Sequence, residues 1–484
     1  MDYWLLGLEL TVYAVYLIGM TIVILLDNKP PQSTLAWLLT LYFLPFIGLF
    51  IYLFAGVNWR RRRIVKQRPE EMFSQHLSPV IERQRSFLRN MRVDGDNDLR
   101  KTIQLLLNSN QSVLTLRNSC TVHHHGADHF AALKADLRQA KRYIHMEYFI
   151  WRSDRLGQEI LEILVERAQA GVEVRLIFDR VGCVGTISRA YRRALKAAGI
   201  EYRYFLSPLS LLTSNLANYL NHRKIVVIDG LISYVGGLNL GQEYIDGGKR
   251  FDFWRDTHVR FVGEITQQLQ TVFATDWYNS SREWLDDQLY FPDVPTPEQE
   301  ASFLPVQLAC SGPDSDWYAI KQLFFNLIIN ANHTVFIQSP YFIPDQSVVS
   351  AMEIAALSGV EVHLMMAGIP DKRLPFWVAH TYFESLLRAG VRIYQYTRGF
   401  MHAKTLVVDG LIASVGTCNM DVRAFELDYE VNAVIYDAAL AQNLRDQFFE
   451  DLRACREITL NEELQRPLPE RLRNSLLRVF SPLL

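Results

Sequence analysis

The distribution of apolar and charged positions divides the chain into two unlike parts. Residues 10–26 carry no charge, and residues 30–58 carry none either, with LAWLLTLYFLPFIGLFIYLFAG inside the second run. A helix crosses the hydrocarbon core with about 20 apolar residues, so the pattern predicts two transmembrane helices. Tyr3 and Trp4 would seat the first in the interface, with Glu9 among the headgroups rather than at depth. The intervening residues 27–34 suffice only for the turn of a helical hairpin. Arg60, Arg61, Arg62 and Arg63 follow at once, then Lys66 and Arg68. Cationic residues this close to a span stay on the cytoplasmic side and face anionic headgroups. Both termini, and everything from Trp59 onward, are therefore expected in the cytoplasm. A cleaved signal peptide does not fit, because the chain lacks a basic start and a second apolar run follows.

After residue 113 the pattern alternates. Residues 130–142 and 159–170 have helical spacing, and each precedes an apolar strand, the second of them at 172–178. Alternation of this kind predicts an α/β sandwich on a mostly parallel sheet. The alternation also repeats. IHMEYFI at 144–150 matches IQSPYFI at 337–343, GVEV at 171–174 recurs at 359–362, AGI at 198–200 matches AGV at 389–391, and HRKIVVIDG at 222–230 matches HAKTLVVDG at 402–410. The anchors keep their order, so the chain is read as a hairpin (1–58), basic juxtamembrane and linker helices (59–113), and two halves (114–300 and 301–484). The first half carries a longer connection, LSPLSLLTSNLANYLN at 206–221, where the second has five residues. That segment has no charge; it is expected either to dock on the membrane or lid the site, excluding water, or to pack against the other half.

Composition narrows the function. The 484 residues are 49% hydrophobic, and 50 basic side chains against 52 acidic ones leave a net charge of −2. This is not a disordered chain, and it lacks the basic domain of a nucleic-acid binder. The five cysteines are scattered, with no CxxC pair, which argues against a disulfide scaffold or zinc ribbon and for a reducing compartment.

The chemistry is concentrated in the repeated H-x-K-x-x-x-x-D: His222, Lys224 and Asp229 in one half, His402, Lys404 and Asp409 in the other. Residues two apart on a strand face the same side, so each His–Lys pair points into one site. Such a pair suits a phosphodiester, since an imidazole can attack phosphorus and an ammonium can neutralise the non-bridging oxygens. Further on come GGLN with Asn239 and GTCN with Asn419, where glycine permits close backbone approach and an amide can donate to phosphate. Asp229-Gly230 and Asp409-Gly410 sit between apolar runs, as in a hairpin turn, so these aspartates either touch substrate or fix the turn. Asp256 and Glu430, 27 and 21 residues beyond them, are candidates to accept the second imidazole N–H and set its tautomer.

HxKxxxxD followed by GG or GT and then Asn, twice in one chain, resembles the phospholipase D superfamily over about residues 114–484. The hairpin, with PPQSTLAW and PFIGLFIYLFAG, is similar to that of bacterial cardiolipin synthases, as are GGLNLGQEYI, FDFWRDTHVRF, IQSPYFIPD and the terminal SPLL. Both motifs are complete. The resemblance implies two tandem phospholipase D-like α/β/α sandwich halves related by a pseudo-twofold axis, with both His–Lys pairs in one site. It implies phosphatidyl transfer between two phosphatidylglycerol molecules through a phosphohistidine, with His222 as nucleophile and His402 as acid, Lys224, Lys404, Asn239 and Asn419 on the phosphate, and no metal or cofactor. The enzyme would be a multi-pass protein of the bacterial inner membrane, catalytic on the cytoplasmic side, embedded among anionic lipids, possible as a homo-oligomer and binding no nucleic acid. The alternative is a membrane-bound phospholipase D or transphosphatidylase using water or another alcohol.

Two features have weaker claims. His123, His124, His125 and His129 lack the usual spacing of metal ligands and read as a solvated turn. Residues 470–480 place Leu472, Leu476, Val479 and Phe480 on one helical face, expected to pack on the second half or to lie on the membrane.

Overall fold

The computed structural model describes residues 2–27, 31–52, 84, 97–205, 219–292, 303–479 and 481. The basic cluster at 60–68, most of the expected linker helices and most of the apolar segment at 206–221 lie outside the described residues. The chain forms two compact units, one holding the amino-terminal helices and the other the repeated halves.

In the first unit the apolar runs are helical, but the second is not continuous. Helix Asp2–Leu26 is followed by Pro31–Phe43 and Pro45–Ile51, with Leu44 between them out of helical geometry. Pro45 has no N–H to donate, and its ring opposes a helical residue before it, so the run breaks there into pieces of 13 and 7 residues. Tyr16 Oη donates to the Pro45 carbonyl at 2.6 Å, and Ile24, Leu41 and Tyr52 bury themselves around Trp37. Among the described residues, no helix is long and apolar enough to cross a membrane.

The second unit is built on one sheet. The first half contributes β1 (Thr115–His125), β2 (Tyr143–Tyr148), β3 (Glu173–Phe178), β4 (Glu201–Tyr204), β5 (Lys224–Ile228), β6 (Ile232–Gly236) and β7 (Trp254–Gly263). The second half holds β8 (Phe303–Ser311), β9 (Thr334–Gln338), β10 (Phe342–Ile343), β11 (Glu361–Ala367), β12 (Arg392–Tyr396), β13 (Phe400–Met401), β14 (Thr405–Val408), β15 (Ile412–Gly416), β16 (Met420–Asp421), β17 (Glu430–Ile435) and β18 (Cys455–Ile458), of which β10 and β16 pair with each other outside that sheet and β13 pairs with β7. The strand order is β4-β3-β2-β5-β6-β7-β1-β8-β17-β15-β14-β9-β11-β12-β18. Read outward from the antiparallel β1–β8 pair at its centre, the two sides repeat one topology, with β18 added at one edge. The sequence repeat is thus a structural one.

The register refines the repeat. Ile144 pairs with Ile228 and Val335 with Val408; because Ile228 and Val408 are equivalent, Ile144 corresponds to Val335 rather than to Ile337. A two-residue offset leaves every side chain on its original face, which is why the shifted alignment still matched apolar with apolar. β2, β5, β14 and β17 are buried along their whole length, as expected of strands covered on both faces by helices. Helix Ile265–Ser281 packs on β2, β5, β6 and β7, and helix Ala438–Leu452 holds the equivalent place on β9, β12, β14 and β15.

Three expectations are corrected. The sheet is mainly antiparallel rather than mostly parallel: in the order above β2–β3, β3–β4, β9–β11 and β11–β12 run parallel and the other neighbours antiparallel, because the motif strands return through tight turns rather than helical crossovers. His123, His124 and His125 belong to β1 rather than to a solvated turn, because β7 pairs with that stretch of chain. His129 is fully buried, its ring 4.1 Å from that of His258. Helix Leu468–Arg478 does not bury its leucine stripe: Leu472, Leu476 and Val479 are 68%, 64% and 72% exposed. It docks instead through arginines, with Arg473 over Trp377 and Arg478 over Tyr382, since a guanidinium can stack on an aromatic face while its charge stays wet.

Candidate active site

Each HxK segment leaves its own half and is pinned to the other. His222 N–H donates to the Tyr429 carbonyl at 3.0 Å, and His402 N–H donates to that of Arg255 at 2.7 Å. The next residue on each of these partner strands is a carboxylate. His222 Nδ1 meets Glu430 Oε1 at 2.8 Å, and His402 Nδ1 meets Asp256 Oδ2 at 2.6 Å. The carboxylates therefore serve crosswise, each orienting the histidine of the opposite half. With Nδ1–H given to a carboxylate, the Nε2 lone pair of each ring is left to face the site.

The carboxylates are fully buried, whereas the histidine side chains keep 12% and 9% exposure. Thr417 Oγ1 donates to Glu430 Oε2 and accepts from Val431 N–H. At the equivalent place in the first half stands Gly237, and a Cβ there would lie 2.0 Å from Asp256 Oδ1. The GG of one motif and the GT of the other are thus matched to the carboxylate each one faces.

Lys224 and Lys404 are buried, and each Nζ donates to the carbonyl of its own histidine at 2.5 Å. Burial, more than any neighbour, lowers Lys224 to about 7 and Lys404 to about 8. It likewise brings His402 down to about 4 and His222 well below the usual imidazole range, with both lysines adding to the effect. Burial pushes Glu430 up to about 7, against the pull of Lys224. The field of each pair reaches the other, so the four groups share a single site. Phe149 lies 4.9 Å from the His222 ring, and Trp254 and Phe400 flank His402 at 5.2 and 5.7 Å.

Asn239 and Asn419 are buried. Asn239 spends its oxygen on the Ile150 N–H at 3.1 Å, whereas Asn419 Oδ1 has no partner among the described residues. Asp229 and Asp409 do not join the cluster. They stand at the far ends of β5 and β14 with φ of 55° and 53°, and each accepts three backbone N–H groups. Asp229 takes those of Lys141, Arg142 and Tyr143 at 2.8, 2.7 and 2.9 Å, and Asp409 those of Asn332, His333 and Thr334 at 2.9, 2.7 and 2.9 Å. Of the two readings open for them, the geometry favours the turn-fixing one, because each carboxylate gathers the entry of a neighbouring strand at the end of β5 or β14 away from the histidines. Among the described residues, no three His, Cys, Asp or Glu side chains are grouped to hold a metal ion.

Thr417, Phe149 and Trp254 were not singled out by sequence reasoning. Thr417 stands inside a motif that was read for its glycine and asparagine, and only the crossed partnership explains its hydroxyl.

Comparison with known proteins shows the family. The family described as cardiolipin synthase, PLD-like domain, matches residues 133–277 and 324–452, and the phospholipase D-nuclease N-terminal family matches residues 14–56. A cardiolipin synthase of Geobacillus thermodenitrificans is 40% identical over 494 residues, covering 100% of this chain and 96% of that protein. The major cardiolipin synthase of Bacillus subtilis is 40% identical over 472 residues, 96% of each chain, and a cardiolipin synthase of Staphylococcus aureus strain Mu50 is 39% identical over 468. In fold, the crystal structure of a phosphatidylserine synthase from Haemophilus influenzae superposes with a TM-score of 0.60 at 16% identity, covering 79% of this chain and all of the other. With both halves and nearly the whole length matched, the chain belongs to the cardiolipin synthase family of phospholipase D-like enzymes.

Proposed function

We propose that the protein is a cardiolipin synthase that moves a phosphatidyl group from one phosphatidylglycerol to another, releasing glycerol. The observation that carries the mechanism is the crossed pair of imidazole–carboxylate hydrogen bonds at 2.8 and 2.6 Å. It gives two histidines with free Nε2 atoms over two buried lysines. Nε2 of His222 attacks the donor phosphorus, forming an N–P bond as the P–O bond to glycerol breaks, and His402 gives its proton to the departing oxygen. The neutralised His402 then takes the proton of the incoming glycerol hydroxyl, whose oxygen forms the new P–O bond while the N–P bond breaks. Lys224 and Lys404, with Asn239 and Asn419, hold the non-bridging oxygens. Burial brings both lysines closer to losing their proton near neutral pH, Lys224 more than Lys404; a phosphodiester anion favours their charged forms and raises the histidine that must act as acid.

We read the apolar runs within residues 1–58 as a hairpin that crosses the bacterial inner membrane twice, the helical pieces on either side of Pro45 making the second crossing together. The catalytic unit lies on the cytoplasmic side beside anionic lipid. The charge-free runs and the arginine cluster support this reading.

Full-length protein reconstituted with phosphatidylglycerol alone should release cardiolipin and glycerol in equal amounts without added divalent ions, and His222→Ala and His402→Ala should each abolish release. Phosphatidic acid as the main product would replace this reading by that of a phospholipase D. A burst of glycerol before cardiolipin appears would mark the covalent intermediate.

A further inference from the structure

Behind the site, on the opposite face of β5 from His222 and Lys224, lies a cluster that the reaction does not use. Glu147 of β2 is fully buried and pairs in register with Ile225, so its side chain shares a face with Ile225 and Arg223. Arg223 Nη1 donates to Asp276 Oδ2 of helix Ile265–Ser281 at 2.5 Å, and its guanidinium lies 5.3 Å from the Tyr429 ring. Both Glu147 oxygens, Asp276 Oδ1 and Asn221 Nδ2 are buried without a well-formed hydrogen bond. Two carboxyls thus share one guanidinium out of reach of water. If both were ionised, one negative charge would be left unpaired, which is costly in such a place.

The second half shows what the arrangement requires. Gln338 is opposite Thr405 as Glu147 is opposite Ile225, and positions 225 and 405 are equivalent, so Gln338 stands where Glu147 stands. Gln338 Nε2 donates to Asp451 Oδ2 at 2.8 Å, and its oxygen accepts from Thr405 Oγ1 at 3.0 Å. Asp451, on helix Ala438–Leu452, corresponds to Asp276 and is met by Arg255 Nε at 2.9 Å to both oxygens. Both arginines come from the first half. Behind His222 it is the residue after the histidine (Arg223, where the second half has Ala403); behind His402 it is the residue before the orienting carboxylate (Arg255, where Tyr429 precedes Glu430). A buried guanidinium–carboxylate pair thus stands behind each HxK.

We propose that Glu147 is a positioning residue that carries its proton, donating it to Asp276 as the Gln338 amide donates to Asp451, so that Glu147, Asp276 and Arg223 brace the His222–Lys224 segment from behind. An ionised carboxylate is an acceptor only and could not take the place of that amide. Of the groups facing Glu147, Asp276 from the helix opposes its ionisation, while Arg223, just before β5, and Asn221 favour it; Arg223 is already committed to Asp276. Cys310 of β8, and Asp314 beyond it acting on Asp276, add no positive charge. His145, two residues back on β2, is held neutral by burial and bonded to Gln270. Burial is the largest influence raising Glu147 well above the usual carboxylate range, and the Asp276 charge adds to it.

The consequence for stability has a definite sign. A carboxyl raised on folding binds more protons in the native state, so stability is full at low pH and declines as pH rises past the unfolded value. Only the requirement for His222 rests on the proposed reaction; protonation of Glu147 does not. The test compares full-length wild type, Glu147→Gln and Glu147→Ala. Infrared spectra should show the carbonyl stretch of an un-ionised acid in wild type that Glu147→Gln lacks. Between about pH 6 and about pH 9 the melting temperature of wild type should fall relative to Glu147→Gln. In phosphatidylglycerol vesicles Glu147→Gln should keep kcat within about threefold, while Glu147→Ala should lower kcat about tenfold or more with KM little changed. An unchanged infrared spectrum, or a Glu147→Gln protein as impaired as Glu147→Ala, would overturn the proposal. Neither of the first two readouts depends on which lipid is the substrate. If Glu147→Ala does not fold, they decide alone.

Discussion

His222 and His402 are held neutral in the empty site by burial and two lysines, and those lysines are themselves brought to about 7 and about 8. Lys224 and Lys404 are charged below these values and lose charge above them, so anion binding weakens as pH rises. The KM for phosphatidylglycerol should therefore climb from about pH 7, where Lys224 begins to lose its charge, and more steeply above about pH 8, where Lys404 joins it. The rise should be roughly tenfold per unit for each lysine that must be protonated, while bound substrate delays the effect on kcat. A KM flat between about pH 6 and about pH 9 would refute this account of the lysines. Gly237 is a second test at this scale. Gly237→Ala puts a methyl group 2.0 Å from Asp256 Oδ1 and must displace the carboxylate that orients His402. Its kcat should drop about a hundredfold with KM nearly unchanged.

The strands that carry the motif are fixed at both ends by different means. At the active end a backbone hydrogen bond and a carboxylate from the opposite half position each histidine; at the far end Asp229 and Asp409 gather three N–H groups each. Asp229→Ala or Asp409→Ala leaves those donors unpaired, at a cost of about 3 kcal/mol in stability. Melting temperature should fall, yet residual folded enzyme should retain kcat within about threefold, which a catalytic aspartate would not allow. Helix Leu468–Arg478 gives the opposite expectation. Leu472 and Leu476 are 68% and 64% exposed, so replacing both with serine should change stability by no more than about 0.5 kcal/mol.

Across the whole molecule, one continuous sheet joins the halves through β1 and β8, and the crossed carboxylates make the site a product of both. Neither half can position its own histidine, so damage to either HxK partner strand should silence both. For the amino-terminal hairpin the expected outcome is topological: in intact cells a cysteine placed at Asn28 should react with an impermeant maleimide from outside, while one placed at the exposed Leu472 should not. Labelling of the Leu472 position alone would reverse the orientation.

Much of this was legible in the chain. The repeated HxKxxxxD, the α/β alternation and the charge-free amino-terminal runs are local patterns, set by side-chain chemistry and period, and they identified the family and the histidines and lysines. Other features depend on contacts between residues far apart in sequence. The break at Pro45 follows from the residue itself, but that His222 answers to Glu430 rather than to Asp256 follows only from which strands meet. So does the retreat of Asp229 and Asp409 to the turns, since a turn aspartate and a substrate-binding one look identical until their N–H partners are seen. The buried leucines expected of the last helix were lost because arginine–aromatic stacking satisfied its inner face, an outcome no periodicity encodes. The sequence by itself determined the reacting groups, because chemistry belongs to side chains. The tertiary structure alone decided which carboxylate serves which histidine and which acid sits behind them, because burial and pairing belong to neighbours in space.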